Sequence, residues 1–324
     1  MSILLTGAAG FIGMHTAVRL LDAGEHVVGV DNFDPYYDPQ LKESRAAVLM
    51  NYPNFTLERA DLADSEAVTN IFASTKPRSV IHLAAQPGVR HGIDHPRSYV
   101  RANLAASLNI FEEARKNSLR HVVYASSSSV YGDFGPRPSN IEDRVDHPIS
   151  LYAATKKSNE LTAHAYASLH GLPCSGLRFF TVYGPYGRPD MATWKFTQRM
   201  LAGETIEVYG GGHHRRDFTY VQDIAEGIVR VHEHTPTSID KKPPCRIFNI
   251  GNSAPVPLMD FIRELEHALN VKAQIKMLPK QPGDVNETHA DVSALSSEFN
   301  WSPKTPLSQG LKYWADWYRT HYPE

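Results

Sequence analysis

Short β-branched and aliphatic runs alternate, over the first half of the chain, with longer stretches whose apolar residues recur at helical spacing. The runs predict strands over 3–5, 26–30, 55–58, 79–83, 121–125 and 173–177. The periodic stretches predict helices over 11–23, 41–49, 64–73, about 97–116 and 151–168, with Gly24 closing the first and Asp64 capping the third. Alternation of this kind predicts a parallel sheet covered by helices on both faces.

After residue 178 the pattern loosens. Glycine, proline and aromatics cluster at Tyr183-Gly-Pro-Tyr-Gly187, Gly210-Gly-Gly-His-His214 and Gln281-Pro-Gly-Asp284. Helical spacing survives over 192–201, 222–232, 258–269 and 307–320. We expect two domains, a nucleotide-binding unit over 1–178 and a smaller, loop-built substrate lobe over 179–324, with a strand at 246–250 that returns to the first sheet. The length of 324 residues is about right for two domains. A net charge of -2 leaves no basic footprint for nucleic acid or a membrane surface. Cys174 and Cys245 have neither metal-ligand spacing nor the numbers for a disulfide framework. No apolar run is long enough to span a bilayer, and Met1 leads into a strand without a signal-peptide pattern. The expectation is a cytoplasmic protein without a metal. His213-His214 lacks further ligands at a recognisable spacing and reads as a solvated loop.

The chemistry begins at Leu4-Leu-Thr-Gly-Ala-Ala-Gly-Phe-Ile-Gly13, between a strand and a helix. Gly7 serves a tight turn, Gly10 the approach of backbone to a pyrophosphate, and Gly13 close packing of helix on sheet. The amides of the helix start, at Phe11, Ile12 and Gly13, favour phosphate. Asp31 ends the second strand eighteen residues after Gly13 and suits the two ribose hydroxyls of NAD. Asn32 and Phe33 follow it, with no arginine for a 2′-phosphate, so NAD is favoured over NADP. Other strand ends should meet the same cofactor. Asp61 and Leu62 belong at the adenine edge, and the small run Leu83-Ala84-Ala85 at the nicotinamide half. Asn103, on the long helix, is a further candidate behind them.

Tyr152 and Lys156 stand one helical turn apart on one face, where an ammonium should lower the phenol pKa. The hydroxyl run Ser126-Ser-Ser-Ser129 follows a strand of the first domain and faces the same region, with at least one serine expected to be structural. Thr6–Gly13, the serines before Val130-Tyr-Gly132, the Tyr152/Lys156 pair and Arg216-Asp-Phe-Thr-Tyr-Val-Gln-Asp223 together resemble the extended short-chain dehydrogenase family, in particular its nucleotide-sugar epimerases and dehydratases. The resemblance covers essentially the whole chain. It implies a Rossmann-type doubly wound sheet, NAD as cofactor and a homodimer built on the helices of Asn103 and Tyr152. It further implies Tyr152 as acid/base, Lys156 on the nicotinamide ribose and Ser127 on the reacting oxygen.

Within that family, dehydratases carry an Asp-Glu pair where this chain has Ser128 and Ser129, and decarboxylating UDP-xylose synthases a Glu where it has Ser129. Epimerisation at C4 remains. Ala84-Ala-Gln-Pro-Gly-Val-Arg90 and Asp34-Pro-Tyr-Tyr-Asp38 resemble the UDP-glucuronate 4-epimerases, with Pro87 standing where those enzymes often have Ala. Arg90 would then pair with a C6 carboxylate, helped by Ser128, Ser129, Thr181 and Arg188. By the same resemblance Arg216 belongs on the diphosphate, Asp284 on the uridine ribose and Tyr209 against the uracil, while Gln281 replaces an Arg of many relatives. Two other functions stay open: a 4-epimerase of neutral UDP-hexoses or another nucleotide-sugar enzyme, and a non-catalytic NAD-binding protein, which would commonly lack the Tyr-Lys pair.

Overall fold

The computed structural model describes residues 2–133, 137–280 and 285–323. Its centre is a seven-stranded sheet in the spatial order Cys245–Ile250, Cys174–Phe179, Val122–Ser127, Ser79–His82, Ile3–Thr6, Val27–Asp31, Phe55–Arg59. All its pairings are parallel. The strand order reverses between Ile3–Thr6 and Ser79–His82, so the crevice at a topological switch point opens above Gly7 and Leu83.

Pleating explains how one strand serves two cores. Ile3 and Leu5 join one buried cluster with Phe11, Leu20, Val221 and Ile228, while Leu4 joins the other with Phe72, Ile110 and Ala163. Helices Phe11–Asp22 and Val221–Glu233 thus cover one face. Ser65–Thr75, Ala106–Lys116 and Leu151–His170 cover the other. Asp38 caps helix Pro39–Met50 by accepting from the Gln40 amide at 2.9 Å, and Pro39 occupies its first turn, where no amide is needed.

Two expectations need correction. The long helix predicted over 97–116 is interrupted by a π-helical turn, Val100–Ala105. The extra residue in that turn carries the Asn103 side chain inward. The second half is not loop-built. Thr181–Tyr183, Arg215–Tyr220 and Pro255–Pro257 form one sheet, and Thr205–Tyr209 pairs in parallel with Gln274–Leu278. These strands are short, and Gln274–Leu278 is largely exposed, so they carry little hydrophobic pattern. Trp194, Trp314 and Trp317 pack edge to face or tilted beneath them. Asp217 binds the turn after strand Cys245–Ile250, accepting the amides of Asn252 at 2.7 Å and Ser253 at 3.0 Å.

Candidate active site

Gly7 has φ +71, a left-handed turn that lets the chain double back from strand to helix. A Cβ on Gly13 would stand 1.9 Å from the Gly7 carbonyl oxygen, so the helix start seats against the turn only without a side chain. No side chain caps helix Phe11–Asp22, and its first-turn residues Gly10 to Gly13 line a cavity of about 590 Å³. Uncapped amides there form a cradle that fits a dinucleotide pyrophosphate. Asp31 lines the same cavity, its carboxylate fixed by the Ala9 amide at 3.1 Å and the Phe33 amide at 2.9 Å. Lys42, which the sequence reading missed, stands 3.9 Å from Asp31 on the same wall. It lies on the buried side of helix Pro39–Met50, with Leu41, Arg45 and Leu49.

Asn32, Asp61, Leu62, Leu83, Ala84 and Ala85 also line the cavity. Asp61 is held by Arg101 at 2.8 Å, on its exposed side. Ala84 touches the glycine turn: a Cβ on Gly7 would lie 2.8 Å from its amide nitrogen. Asn103 stands behind the lining. Its side chain accepts from the Gln86 amide at 2.7 Å and donates to the Gln86 carbonyl and to Thr155. Both amide hydrogens are thereby used in fixing Gln86 and Thr155, and Asn103 is not itself part of the cavity lining.

The second wall carries Ser127, Ser128, Ser129, Tyr152, Lys156, Thr181 and Arg188, and Arg90 lies at its exposed rim. The four serines divide their work. Ser126 is the structural one, donating to Glu160 at 2.6 Å. Ser127 accepts the Ser129 amide at 3.2 Å and caps the 3-10 turn Ser128–Tyr131, which presents the remaining hydroxyls to the cavity.

Lys156 donates to the Ala125 carbonyl at 2.9 Å and sits 5.9 Å from the Tyr152 ring centre. Burial lowers its pKa to about 8. The expected fall in the Tyr152 pKa is reversed. Burial raises it above the ordinary tyrosine value, while the Ser127 hydroxyl and the Arg188 charge pull it back. Spacing alone gave the right neighbours but not the desolvation, which here exceeds them.

Tyr209 and Arg216 lie outside the lining of this cavity. Tyr209 donates to Glu207 at 2.8 Å. Arg216 donates to the carbonyls of Val285 at 2.8 Å and Asn286 at 3.2 Å. Asp284 and Gln281 fall outside the described residues. His214 departs from the solvated loop expected for it: it is buried, with its ring under the Gly210 turn.

A glycine cradle at the switch point, in one cavity with a hydroxyl from strand Val122–Ser127 and a phenol and an ammonium from helix Leu151–His170, defines a dinucleotide-dependent enzyme that moves hydride and proton at one alcohol carbon. The chain belongs to the NAD dependent epimerase/dehydratase family, which matches residues 3–251. It is 43% identical over 335 residues to a probable UDP-glucuronate 4-epimerase of Rhizobium meliloti (strain 1021), covering 99% of this chain and 98% of the relative. The fold superposes with a TM-score of 0.91 and 34% identity on a UDP-glucuronic acid 4-epimerase from Bacillus cereus in complex with UDP-glucuronic acid and NAD, covering 99% of this chain and all of that one. A UDP-glucose 4-epimerase of Thermotoga maritima gives a TM-score of 0.88 at 28% identity, covering 99% of both chains.

Proposed function

We propose that the chain is an NAD-dependent isomerase, a UDP-glucuronate 4-epimerase that interconverts UDP-glucuronate and UDP-galacturonate through a transient 4-keto sugar. One observation carries the substrate assignment. The wall beside Tyr152 offers three hydroxyls and two arginines, Ser128, Ser129, Thr181, Arg188 and Arg90, and no carboxylate at the serine turn to drive elimination. Such a wall suits a C6 carboxylate and leaves C4 the reacting carbon.

Bound NAD supplies the hydride acceptor and returns the same hydride. The chain's residues do the rest. Ser127 hydrogen-bonds the C4 oxygen, and Tyr152 takes its proton as the carbonyl forms. Lys156, anchored on Ala125, holds the nicotinamide ribose and keeps positive charge beside the phenol. After the keto sugar turns in the cavity, Tyr152 gives the proton back to the oxygen on the other face. Gly7 to Gly13 seat the pyrophosphate, Asp31 with Asn32 and Lys42 the adenine ribose, and Asp61 and Leu62 the adenine edge. Arg216, Tyr209 and Asp284 are assigned to the UDP end.

The oxidised substrate is a β-keto acid. Its carboxylate stays on the sugar because it is kept charged and hydrogen-bonded, since desolvation and poor pairing favour loss of carbon dioxide.

A homodimer belongs to the same proposal. Val100, Leu108 and Leu161 are 50%, 49% and 60% exposed on the adjacent helices that carry Asn103 and Tyr152, an apolar face that a second copy would cover. A cytoplasmic location is part of it too, in keeping with free thiols at Cys174 and Cys245. Among the described residues, no helix is long and apolar enough to cross a membrane.

The test is incubation of purified protein with UDP-glucuronate, followed by NMR. Appearance of UDP-galacturonate, with turnover in Tyr152→Phe reduced by roughly a hundredfold or more, is the expected result. Turnover of UDP-glucose in preference to the uronate would favour the neutral-hexose reading, which the likeness to the UDP-glucose enzyme keeps in view.

A further inference from the structure

Residues 31–38 form a strap of successive side-chain-to-backbone turns. Asp31 accepts the Phe33 amide at 2.9 Å, Asn32 the Asp34 amide at 3.1 Å, and Asp34 the Tyr36 amide at 2.9 Å. Each turn fixes the next residue, so the strap is a short rigid arm running from the cofactor carboxylate Asp31 to Tyr36. The Tyr36 hydroxyl then donates to Asp190 at 3.2 Å, across 154 positions of sequence. Asp190 grips Arg188 in a two-pronged pair, Nε at 2.9 Å and Nη2 at 2.5 Å. Tyr36 also packs on the 84–90 loop: a Cβ on Gly88 would stand 2.8 Å from its hydroxyl. All four of Tyr36, Arg188, Asp190 and Gly88 line the main cavity.

We propose that Tyr36 and Asp190 are positioning residues that hold the Arg188 guanidinium beside the Tyr152 phenol and so tie the cofactor-binding strap to the acid/base group. A guanidinium gripped by a carboxylate fork keeps one orientation, whereas a loose one samples several. The Tyr36 bond in turn keeps the fork on the cavity wall. The charged and titratable groups that face Tyr152 are few. Lys156 lies on its own helix, Tyr99 packs its ring at 6.2 Å from the neighbouring helix, Ser127 comes from the serine turn, and Arg188 from the 185–191 loop. Of these, Arg188 is the charged group from outside its own helix that lines the same cavity wall, and its charge favours phenolate. Asp190 also tempers it, so that the substrate's carboxylate meets a partly neutralised cation and not a bare one.

The inference rests on the 4-epimerase reading, and the experiment separates the two. Tyr36→Phe and Asp190→Asn are each made alone and with Tyr152→Phe. The first readout needs no turnover: the ultraviolet difference titration between each pair reads the ionisation of Tyr152 in the NAD-bound protein. The second is the pH dependence of kcat and KM on UDP-glucuronate. We expect the Tyr152 titration and the acidic limb of kcat to move upward together in Tyr36→Phe, by about one pH unit, because that change loosens the fork without altering its charge; in Asp190→Asn the lost carboxylate also unmasks the guanidinium charge, so the shift there is smaller. We expect kcat at neutral pH to fall about tenfold, with KM changed less than about threefold. NAD content and thermal midpoint are measured alongside. If Asp190→Asn does not fold, Tyr36→Phe, which removes one hydroxyl, decides. A Tyr152 titration that stays in place in the folded variants overturns the proposal, whatever happens to kcat. Wild-type protein inactive on UDP-glucuronate, with the titration still shifted, would sink the substrate assignment and leave the positioning intact.

Discussion

Glu160 lies one helical turn beyond Lys156, with its side chain 1% exposed, and pairs with Arg178, whose side chain is 3% exposed. Three donors converge on its carboxylate: Ser126 at 2.6 Å, Arg178 Nε at 2.8 Å and Arg178 Nη2 at 2.9 Å. Arg178 in turn donates to the Tyr131 hydroxyl at 2.9 Å, which donates to Asn249 at 2.7 Å. Glu160→Gln keeps the shape but removes the charge and turns an NH2 toward a donor. It should destabilise the fold by about 3–5 kcal/mol, the cost of leaving one member of a buried ion pair without its partner. With a urea slope of about 3 kcal/mol/M, the unfolding midpoint should fall by about 1–1.7 M. Tryptophan fluorescence in urea, with saturating NAD in all samples, measures it. The double variant Glu160→Leu with Arg178→Met should lose less than the two single changes together, because it removes the buried carboxylate and the buried guanidinium at once and strands neither. A midpoint shift below about 0.3 M in Glu160→Gln, or strict additivity in the double variant, would refute the reasoning.

Gly13→Ala should yield protein without retained NAD, since its Cβ would stand 1.9 Å from the Gly7 carbonyl oxygen; acid release and quantitation of nucleotide checks this, and full NAD content defeats it. Arg90→Ala should lower kcat/KM for UDP-glucuronate more than for UDP-glucose by about 1.5–3 kcal/mol, and should release some UDP-pentose; equal losses on both substrates would remove the arginine from carboxylate recognition. Four of the buried histidines bear on the acid limit of stability. Burial lowers the pKa of His15 and His232 to about 4 and of His82 and His121 to about 3. They stay neutral in the fold while the unfolded chain takes up protons from about pH 6.5 downward. Their contribution is therefore complete above pH 6.5 and is lost as pH falls toward 4 and below. The urea midpoint should drop steadily from pH 7 to pH 5, and a flat profile over that range would contradict it.

Much of this was legible in the sequence for a local reason. A buried parallel strand is a continuous apolar run, and the glycine turn is a short motif whose job is done within ten residues, so the strands, their covering helices and the cradle could be read directly. The small strands were not legible, because Pro255–Pro257 begins and ends in proline and Gln274–Leu278 hides little of itself. The serines were read as a group and all four line one cavity, but only the fold shows that the Ser126 hydroxyl is bound to Glu160. Tyr36 stood in a segment singled out for another reason, Asp190 in none, and nothing local joins them. The Tyr152 pKa failed for a related cause: helical spacing reports the neighbours of a side chain, whereas its desolvation depends on segments distant in sequence.

The division of labour in the site follows from what the sugar must do. An intermediate that turns over between two half-reactions presents its oxygens to the wall in two arrangements. The groups behind the wall are fixed: Asn103 on Gln86, Tyr99 on the Pro87 carbonyl at 2.8 Å, Ser126 on Glu160. The groups in front are mostly hydroxyls, Ser127, Ser128, Ser129, Tyr152 and Thr181. A hydroxyl donates and accepts, and it reorients by a rotation about one bond, so one wall can satisfy either pose without moving backbone. Ionised carboxylates there would accept only and would repel the uronate. Rigid support with rotatable hydroxyls in front suits an enzyme that oxidises, turns and reduces the same carbon, and it accounts for serines standing where the family's eliminating enzymes carry acids.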